Sequence, residues 1–247
     1  MDDVARAPVV LVAGGAGGVG EGIVRALLSS TDARVVATSR DPARLALLES
    51  RVRDAIEPGR LVGIVGNAGD PRGAEAIAER VREDVGALDV AIPSLGGWWE
   101  GGPLLRLDLA TWEAVMAEML HTHFVFARTF VPELERRPGG WYLAIGGGAA
   151  FFPVPNAAIV SVAAAGQVML TRALADETAG RPVRITELVV NGPVRTRDSE
   201  AIAAPDWITA EQVGTLVAEL VRTGTTAWPA LRERGPLLIM DPPVPAG

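Results

Sequence analysis

Val9-Val10-Leu11-Val12-Ala13-Gly14-Gly15-Ala16-Gly17-Gly18-Val19-Gly20 is the stretch whose reading decides the fold. Four apolar residues in a row suit a short buried strand, and a helical pattern runs from Val19 to about Leu28. Between them lie five glycines within Gly14–Gly20, interrupted by Ala16 and Val19. Glycine lets a chain turn sharply and lets its backbone approach a pyrophosphate, while the helix beyond it offers unpaired N–H groups to the anion. A glycine run alone also serves as a plain tight turn. Its place between a strand and a helix favours the phosphate reading.

The same strand–helix alternation continues outward. Arg34–Thr38, Leu61–Val65, Leu88–Ile92, Trp141–Ile145, Val183–Val190 and Leu237–Met240 read as further strands. Helices are expected after Asp41-Pro42 and at Pro71, from Leu109 to about Glu135, from Ala157 to Thr178 and from Thr209 to Val221. Such alternation predicts an α/β domain: a doubly wound parallel sheet covered on both faces. Neither a repeat nor a linker divides the 247 residues, so a single domain spanning 1–247 is expected.

Composition removes several function classes. There is no cysteine, which excludes disulfides, thiolate nucleophiles and Cys-ligated metals, and no metal site is expected. The net charge of −7 comes with no basic cluster for a nucleic-acid backbone. No apolar run approaches the roughly 18 residues of a membrane span, and Met1-Asp2-Asp3 lacks the basic start of a signal peptide. These features predict a cytoplasmic protein without nucleic-acid or membrane partners. Every basic side chain is arginine, because the chain contains no lysine, and it holds one tyrosine and two histidines.

The spacing of Gly14, Gly18 and Gly20, with Ala13 in place of a leading Thr, resembles the short-chain dehydrogenase/reductase family. Pro93-Ser94-Leu95-Gly96 stands where that family usually has Asn-Asn-Ala-Gly, and Leu170–Ala175 is similar to the end of its fifth crossover helix. Asn191-Gly192-Pro193-Val194-Arg195-Thr196 resembles its Pro-Gly-x-Val-x-Thr loop, and Leu237 to Asp241 its last strand. The resemblance implies a Rossmann-like, seven-stranded parallel sheet of order 3-2-1-4-5-6-7. It implies cofactor contacts from Gly14, Gly17, Gly18, Val19, Gly20, Ser39, Arg40, Ser94, Gly96, Gly192, Val194 and Thr196. It also implies a homodimer or homotetramer, for which the small apolar run Ala157–Ala165 suits helix packing. An acid ending the second strand would hold the ribose 2′-hydroxyl of NAD; Ser39-Arg40 stands there instead, which favours NADP(H) over NAD(H). The acid expected after the third strand is replaced by Ile64.

The family's chemistry uses an Asn, a Ser, a Tyr and a Lys. Their positions fall on Met119, Gly147, Val160 and Ala164. Without lysine no Tyr-x-x-x-Lys can exist, and Tyr142 begins the fifth strand, away from the ligand end. His123, four residues after Met119, would share its helical face and is the one substitute proton donor, or else a core histidine. Glu100 is a loop acid that could reach the same cleft. Trp98, Trp99, Met119, Phe151 and Phe152 would ring a pocket for a bulky apolar small molecule, or else serve as core and interface packing. Three functions fit these residues: a cofactor-binding or non-redox member, a reductase of a pre-activated iminium or quinone-like substrate, or a non-catalytic subunit pairing with an active homologue.

Overall fold

The computed structural model describes residues 6–224, 226, 228 and 231–242. Its strands are β1 (Val9–Ala13), β2 (Arg34–Ser39), β3 (Leu61–Val65), β4 (Val90–Pro93), β5 (Gly140–Gly147) and β6 (Val183–Val190). A two-residue pair, β7 (Val194–Arg195) and β8 (Ile208–Thr209), precedes β9 (Leu231–Arg234) and β10 (Leu237–Met240). The main sheet has the order β3-β2-β1-β4-β5-β6-β10-β9. Its first seven strands pair in parallel, in the expected order.

An eighth strand extends the expected seven-stranded parallel sheet. β9 pairs antiparallel with β10, Leu237 opposite Arg234. Gly235, at φ +62°, takes the first central position of the two-residue turn, where a positive φ matches the twist of a hairpin. Leu-Arg-Glu-Arg carries no hydrophobic alternation, so only its partner reveals it as a strand.

Helices α1 (Gly18–Ser30), α2 (Pro42–Val52) and α7 (Ala210–Thr223) cover one face of the sheet, over a core that includes Ile23, Leu48 and Val217. α1 and α7 touch backbone to backbone: a Cβ on Gly22 would lie 2.2 Å from the Ala210 carbonyl oxygen, and one on Gly214 would lie 2.1 Å from that of Gly22. α3 (Pro71–Asp84) and α5 (Thr122–Leu134) cover the other face, over Ile77, Phe126, Phe130 and Tyr142. Asp41, Asp70 and Asp108 cap the helices they precede, each accepting a backbone N–H. Thr209 and Gln212 close a capping box on α7.

The long helix expected over Leu109–Glu135 is not continuous. α4 (Leu109–Met116) gives way to a π-helical turn, Ala117–His121, before α5 begins. A π turn takes an extra residue and rotates the rest of the helix about its axis. α6 (Ala158–Glu177) packs on β5 and β6. By length and composition it is apolar enough to cross a membrane, contrary to the reading that no such run exists. Gln167 and Thr171 on its buried side contact a sheet carboxylate, so polar groups mark the face it lays on the core.

Candidate nucleotide site and apolar cleft

The C-terminal ends of β1, β2, β4, β5 and β6 bring the sequence-predicted site residues to one edge of the sheet. The glycine turn is built by close approach. Gly14 has φ +72°, and a Cβ there would lie 2.3 Å from the Ser94 carbonyl oxygen. A Cβ on Gly20 would lie 2.1 Å from the Gly14 carbonyl oxygen. Gly17 donates its N–H to that same oxygen at 2.8 Å, and the buried Thr38 hydroxyl accepts from Gly14 N at 3.4 Å. Ser94 N donates to Ala13 O at 3.0 Å and fixes the following loop beside the turn. Gly96 is exposed on that loop at φ +101°. Val19 is half-buried and packs its side chain on the core below.

The loop after β6 lies over the start of α1. Thr196 is packed so closely on Gly18 that an added Cβ there would meet its side chain at 2.8 Å. Ser199 organises the loop: its hydroxyl donates to Val194 O at 3.0 Å and accepts from Thr196 N at 2.9 Å. Asn191 donates to Asp241 Oδ1 at 2.6 Å, tying Gly192 and its neighbours to the end of β10. The Arg232 guanidinium, and then the Asn191 amide, hold the Asp241 carboxyl below its usual range.

At the end of β2, Ser39 accepts from Asp41 N at 3.1 Å, and Arg40 is exposed. The Arg40 guanidinium lies 3.4 Å from Glu118, which the π turn presents. Ile64 does not stand at a strand exit. It is buried inside β3, and the polar side chain beyond that strand is Asn67, whose Oδ1 accepts from Gly69 N at 3.1 Å. Counting on past the last apolar residue of the strand to the first polar side chain locates Asn67.

The four positions expected to hold the family's Asn, Ser, Tyr and Lys carry no hydrogen-bond-donating side chain, and two of them meet in one cluster. Met119 and Val160 are buried in one apolar cluster with Val115, Ala157, Ile159 and Ala163, and Trp99 packs against it. Gly147 is exposed, and a Cβ there would touch nothing within 4 Å. Ala164 is half-buried on α6. Tyr142 lies on the face of β5 that α3 and α5 cover, beside Phe126; burial, then the charge of Glu187, raises its phenol well above the usual value.

His123 does not share the face of Met119. The intervening π turn breaks the four-residue register and turns the imidazole into the core, where it is wholly buried. Nε2 donates to Leu95 O at 3.2 Å, and Nδ1 has no partner among the described residues. Burial outweighs that hydrogen bond and lowers the His123 pKa to about 4, so the ring is neutral at neutral pH. It anchors the β4 loop rather than facing the cleft. The aromatic ring of the expected pocket is likewise open: Trp98, Phe151 and Phe152 are exposed, Glu100 is exposed beside them, and only Trp99 and Met119 pack inward.

One buried carboxyl carries no signal in the sequence. Glu187 points from the middle of β6 toward α6, accepts from Thr171 Oγ1 at 2.7 Å and from Gln167 Nε2 at 3.1 Å, and stands where a Cβ on Gly146 would meet it at 2.2 Å. Burial raises its pKa to about 7, against the opposing hydrogen bonds from Thr171 and Gln167 and the charge of Arg172.

Residues 8–206 match the short chain dehydrogenase family. The chain belongs to that family. Among its short-chain dehydrogenase relatives is a cis-2,3-dihydrobiphenyl-2,3-diol dehydrogenase of Metapseudomonas furukawaii, 28% identical over 177 residues, which cover 70% of this chain and 62% of that one. A 2,3-dihydroxy-2,3-dihydro-p-cumate dehydrogenase of Pseudomonas putida is 29% identical, over 72% of this chain and 67% of its own length. The chain thus spans about two thirds of these curated relatives or less. A metagenomic short-chain oxidoreductase solved in complex with NADP superposes with a TM-score of 0.78 at 24% identity, covering 96% of this chain and 98% of that one. An NADPH-bound short-chain oxidoreductase of Pseudomonas aeruginosa PAO1, described as containing an atypical catalytic center, gives 0.79 at 22% identity over 95% of each chain. These two likenesses establish the shared fold.

Proposed function

We propose that this short-chain dehydrogenase homologue binds NADP(H) and does not interconvert ordinary ketones and alcohols. The observation that carries the reading is an intact glycine cradle in a chain whose positions for the family's Asn, Ser, Tyr and Lys hold Met119, Gly147, Val160 and Ala164. Ser39 and Arg40 at the exit of β2 suit a 2′-phosphate better than a 2′-hydroxyl, and Asn67 offers an amide to the adenine side. The cradle fits a dinucleotide because Gly14 and Gly20 leave no room for a side chain where the turn must fold onto itself. NADP(H) supplies hydride when bound.

What this chain lacks is a group to receive the charge that hydride creates. An unactivated carbonyl develops alkoxide character, which requires an aimed donor or a proton in transit. Neither Val160 nor Met119 has a polar atom that donates, and Ala164 and Gly147 have no side chain that reaches. Backbone N–H groups of Gly146–Gly148 can donate a hydrogen bond but deliver no proton at neutral pH. Loss of a positioned acid costs roughly 10²–10⁴ in rate.

A second reading is reduction of a pre-activated apolar substrate, an iminium or quinone-like ring, which needs little proton assistance. The open space at Gly147 and the exposed Trp98, Phe151 and Phe152 around the cleft favour it. A non-catalytic subunit is the third. Exposed Leu105, Leu109, Phe124 and Met169 provide apolar surface for a homodimer, a homotetramer or a pairing with an active homologue. The test is NADPH and NADH titration, with Arg40→Ala compared, followed by a panel of simple ketones, alcohols and pre-activated substrates. Robust turnover of simple ketones refutes the inactive reading. An unchanged NADPH-to-NADH affinity ratio in Arg40→Ala refutes the cofactor preference.

A further inference from the structure

The loop that carries Val194 and Thr196 is anchored at Val194, which pairs with Ile208 and packs on the core, and beyond Val194 it is pinned by charge. None of residues 191–200 is buried. Beneath the loop, Glu21 in the first turn of α1 is a buried carboxylate with two guanidiniums on it. Its Oε1 lies 2.5 Å from Arg51 Nη1 of α2, and its Oε2 lies 2.8 Å from Arg197 Nη1 of the loop. Two more pairs finish the clasp: Arg44 of α2 reaches Asp198 at 3.0 Å, and Arg197 Nε lies 3.5 Å from Asp198. Thr196, between Arg195 and Arg197, is thereby pressed on Gly18.

Behind this clasp is a cavity of about 370 Å³, lined among others by Glu21, Arg25, Arg51, Arg195 and Arg197. Beside Arg195 and Arg197 the loop therefore borders open space rather than packed side chains. Besides the packing of Thr196 on Gly18, the buried, shared carboxylate of Glu21 ties the loop to α1. It is also well placed for a negative charge, since the first turn of a helix favours one.

We infer that Glu21 is a positioning residue for the nucleotide: through Arg197 it holds the Val194–Thr196 segment against Gly18, so that the loop lies preformed over the phosphate turn. This rests on the NADP(H) reading above for the identity of the ligand, but not for the clasp itself. Buried pairs are where removing one partner matters most, because the remaining charges are left without compensation. Exposed pairs such as Arg44–Asp198 contribute far less.

The experiment has two arms. In the first, wild type, Glu21→Gln and Glu21→Asp are digested briefly with trypsin without nucleotide, and cleavage of the Arg195–Thr196 bond is followed by mass spectrometry. The expected result is cleavage about tenfold faster in Glu21→Gln, with Glu21→Asp between it and wild type, while cleavage at Arg sites remote from the loop keeps its rate. In the second arm, NADPH affinity and dissociation rate are measured by fluorescence. Glu21→Gln is expected to bind about tenfold more weakly, chiefly through faster dissociation, and Glu21→Asp to recover part of the loss. Equal loop cleavage in all three proteins overturns the clasp. Faster cleavage with unchanged NADPH affinity overturns the positioning role and leaves Glu21 a purely structural pin. A uniform rise at all tryptic sites, signalling general unfolding, also overturns it. If wild type fails to bind NADPH, the nucleotide reading falls and the positioning role with it, whereas the first arm still decides whether the clasp exists.

Discussion

Replacing Glu187 by Gln isolates one buried charge. The native carboxyl accepts two hydrogen bonds, from Thr171 and Gln167, and a Gln side chain of the same shape keeps both contacts once the Thr171 hydroxyl reorients. What changes is titration. The folded pKa is raised from 4.5 to about 7, so the folded state holds its proton where the unfolded chain releases it. The stability this contributes is complete below about pH 4.5, erodes as pH rises, and is gone above about pH 7. At 1.36 kcal/mol per pKa unit the whole effect is about 3 kcal/mol, of which about 2 kcal/mol falls between pH 5.5 and 8.5. His123 titrates with the opposite sign, yet it is present in both proteins and cancels in the comparison. The assay is urea denaturation of wild type and Glu187→Gln across that range. The variant should gain on wild type by about 2 kcal/mol from the acid to the alkaline end. A difference that stays flat with pH would falsify the claim that burial governs this carboxyl.

Three other outcomes are expected from the same geometry. Glu118→Gln frees Arg40 from its exposed partner and removes a negative charge beside the expected 2′-phosphate; NADPH affinity should rise about two- to fivefold, within the range of exposed pairs, with NADH affinity unchanged by isothermal titration. Gly20→Ala forces a Cβ to within 2.1 Å of the Gly14 carbonyl oxygen, so thermal unfolding should reveal a loss of about 3 kcal/mol from overpacking together with lost nucleotide binding. His123 has its pKa lowered to about 4, so its contribution is intact above pH 6.5 and disappears as pH falls through 4; acid titration of His123→Gln should show a shallower loss of stability than wild type over that window, and identical curves would show that the ring is not enclosed.

The strand order follows from the family resemblance, whereas the strands and the glycine turn are legible in the sequence because they rest on local patterns: apolar runs of strand length, Asp-Pro helix starts, and a turn whose glycines sit between a strand and a helix. Val183–Val190 and Leu237–Met240 have the same bounds in sequence and structure for that reason. The features that the sequence misplaces have a common cause, which is that they need a partner or a phase. β9 is a strand only because β10 lies beside it. Counting four residues assigns His123 a face, and a single π turn between Met119 and His123 alters the count. The third strand has the expected bounds, Leu61–Val65, yet the sequence reading puts the position of the expected acid at Ile64 inside it rather than at Asn67 beyond it. Glu21 and Glu187 look like ordinary helix and strand acids in the sequence; only the approach of Arg51 and Arg197 to one, and of Gln167 and Thr171 to the other, distinguishes them.

The charged hairpin at the end of the sheet also limits how copies of this chain can meet. A parallel sheet that ended on β10 would offer the bare N–H and C=O groups of Leu237–Met240 to any passing strand. β9 occupies those groups and presents Arg232, Glu233 and Arg234 outward, exposed. An arriving identical strand would have to lay its own charges beside these and leave some of them poorly solvated, which is how natural edges discourage growth. Ribbon-like extension is therefore closed at this end of the sheet. If copies associate as proposed above, the exposed side chains Leu109 on α4, Phe124 on α5 and Met169 on α6 offer contact by shape rather than by backbone pairing. A sheet end can be paired by almost any extended segment, whereas a helix surface accepts only a fitted one. The four residues of β9 thus guard one end of the sheet against promiscuous pairing.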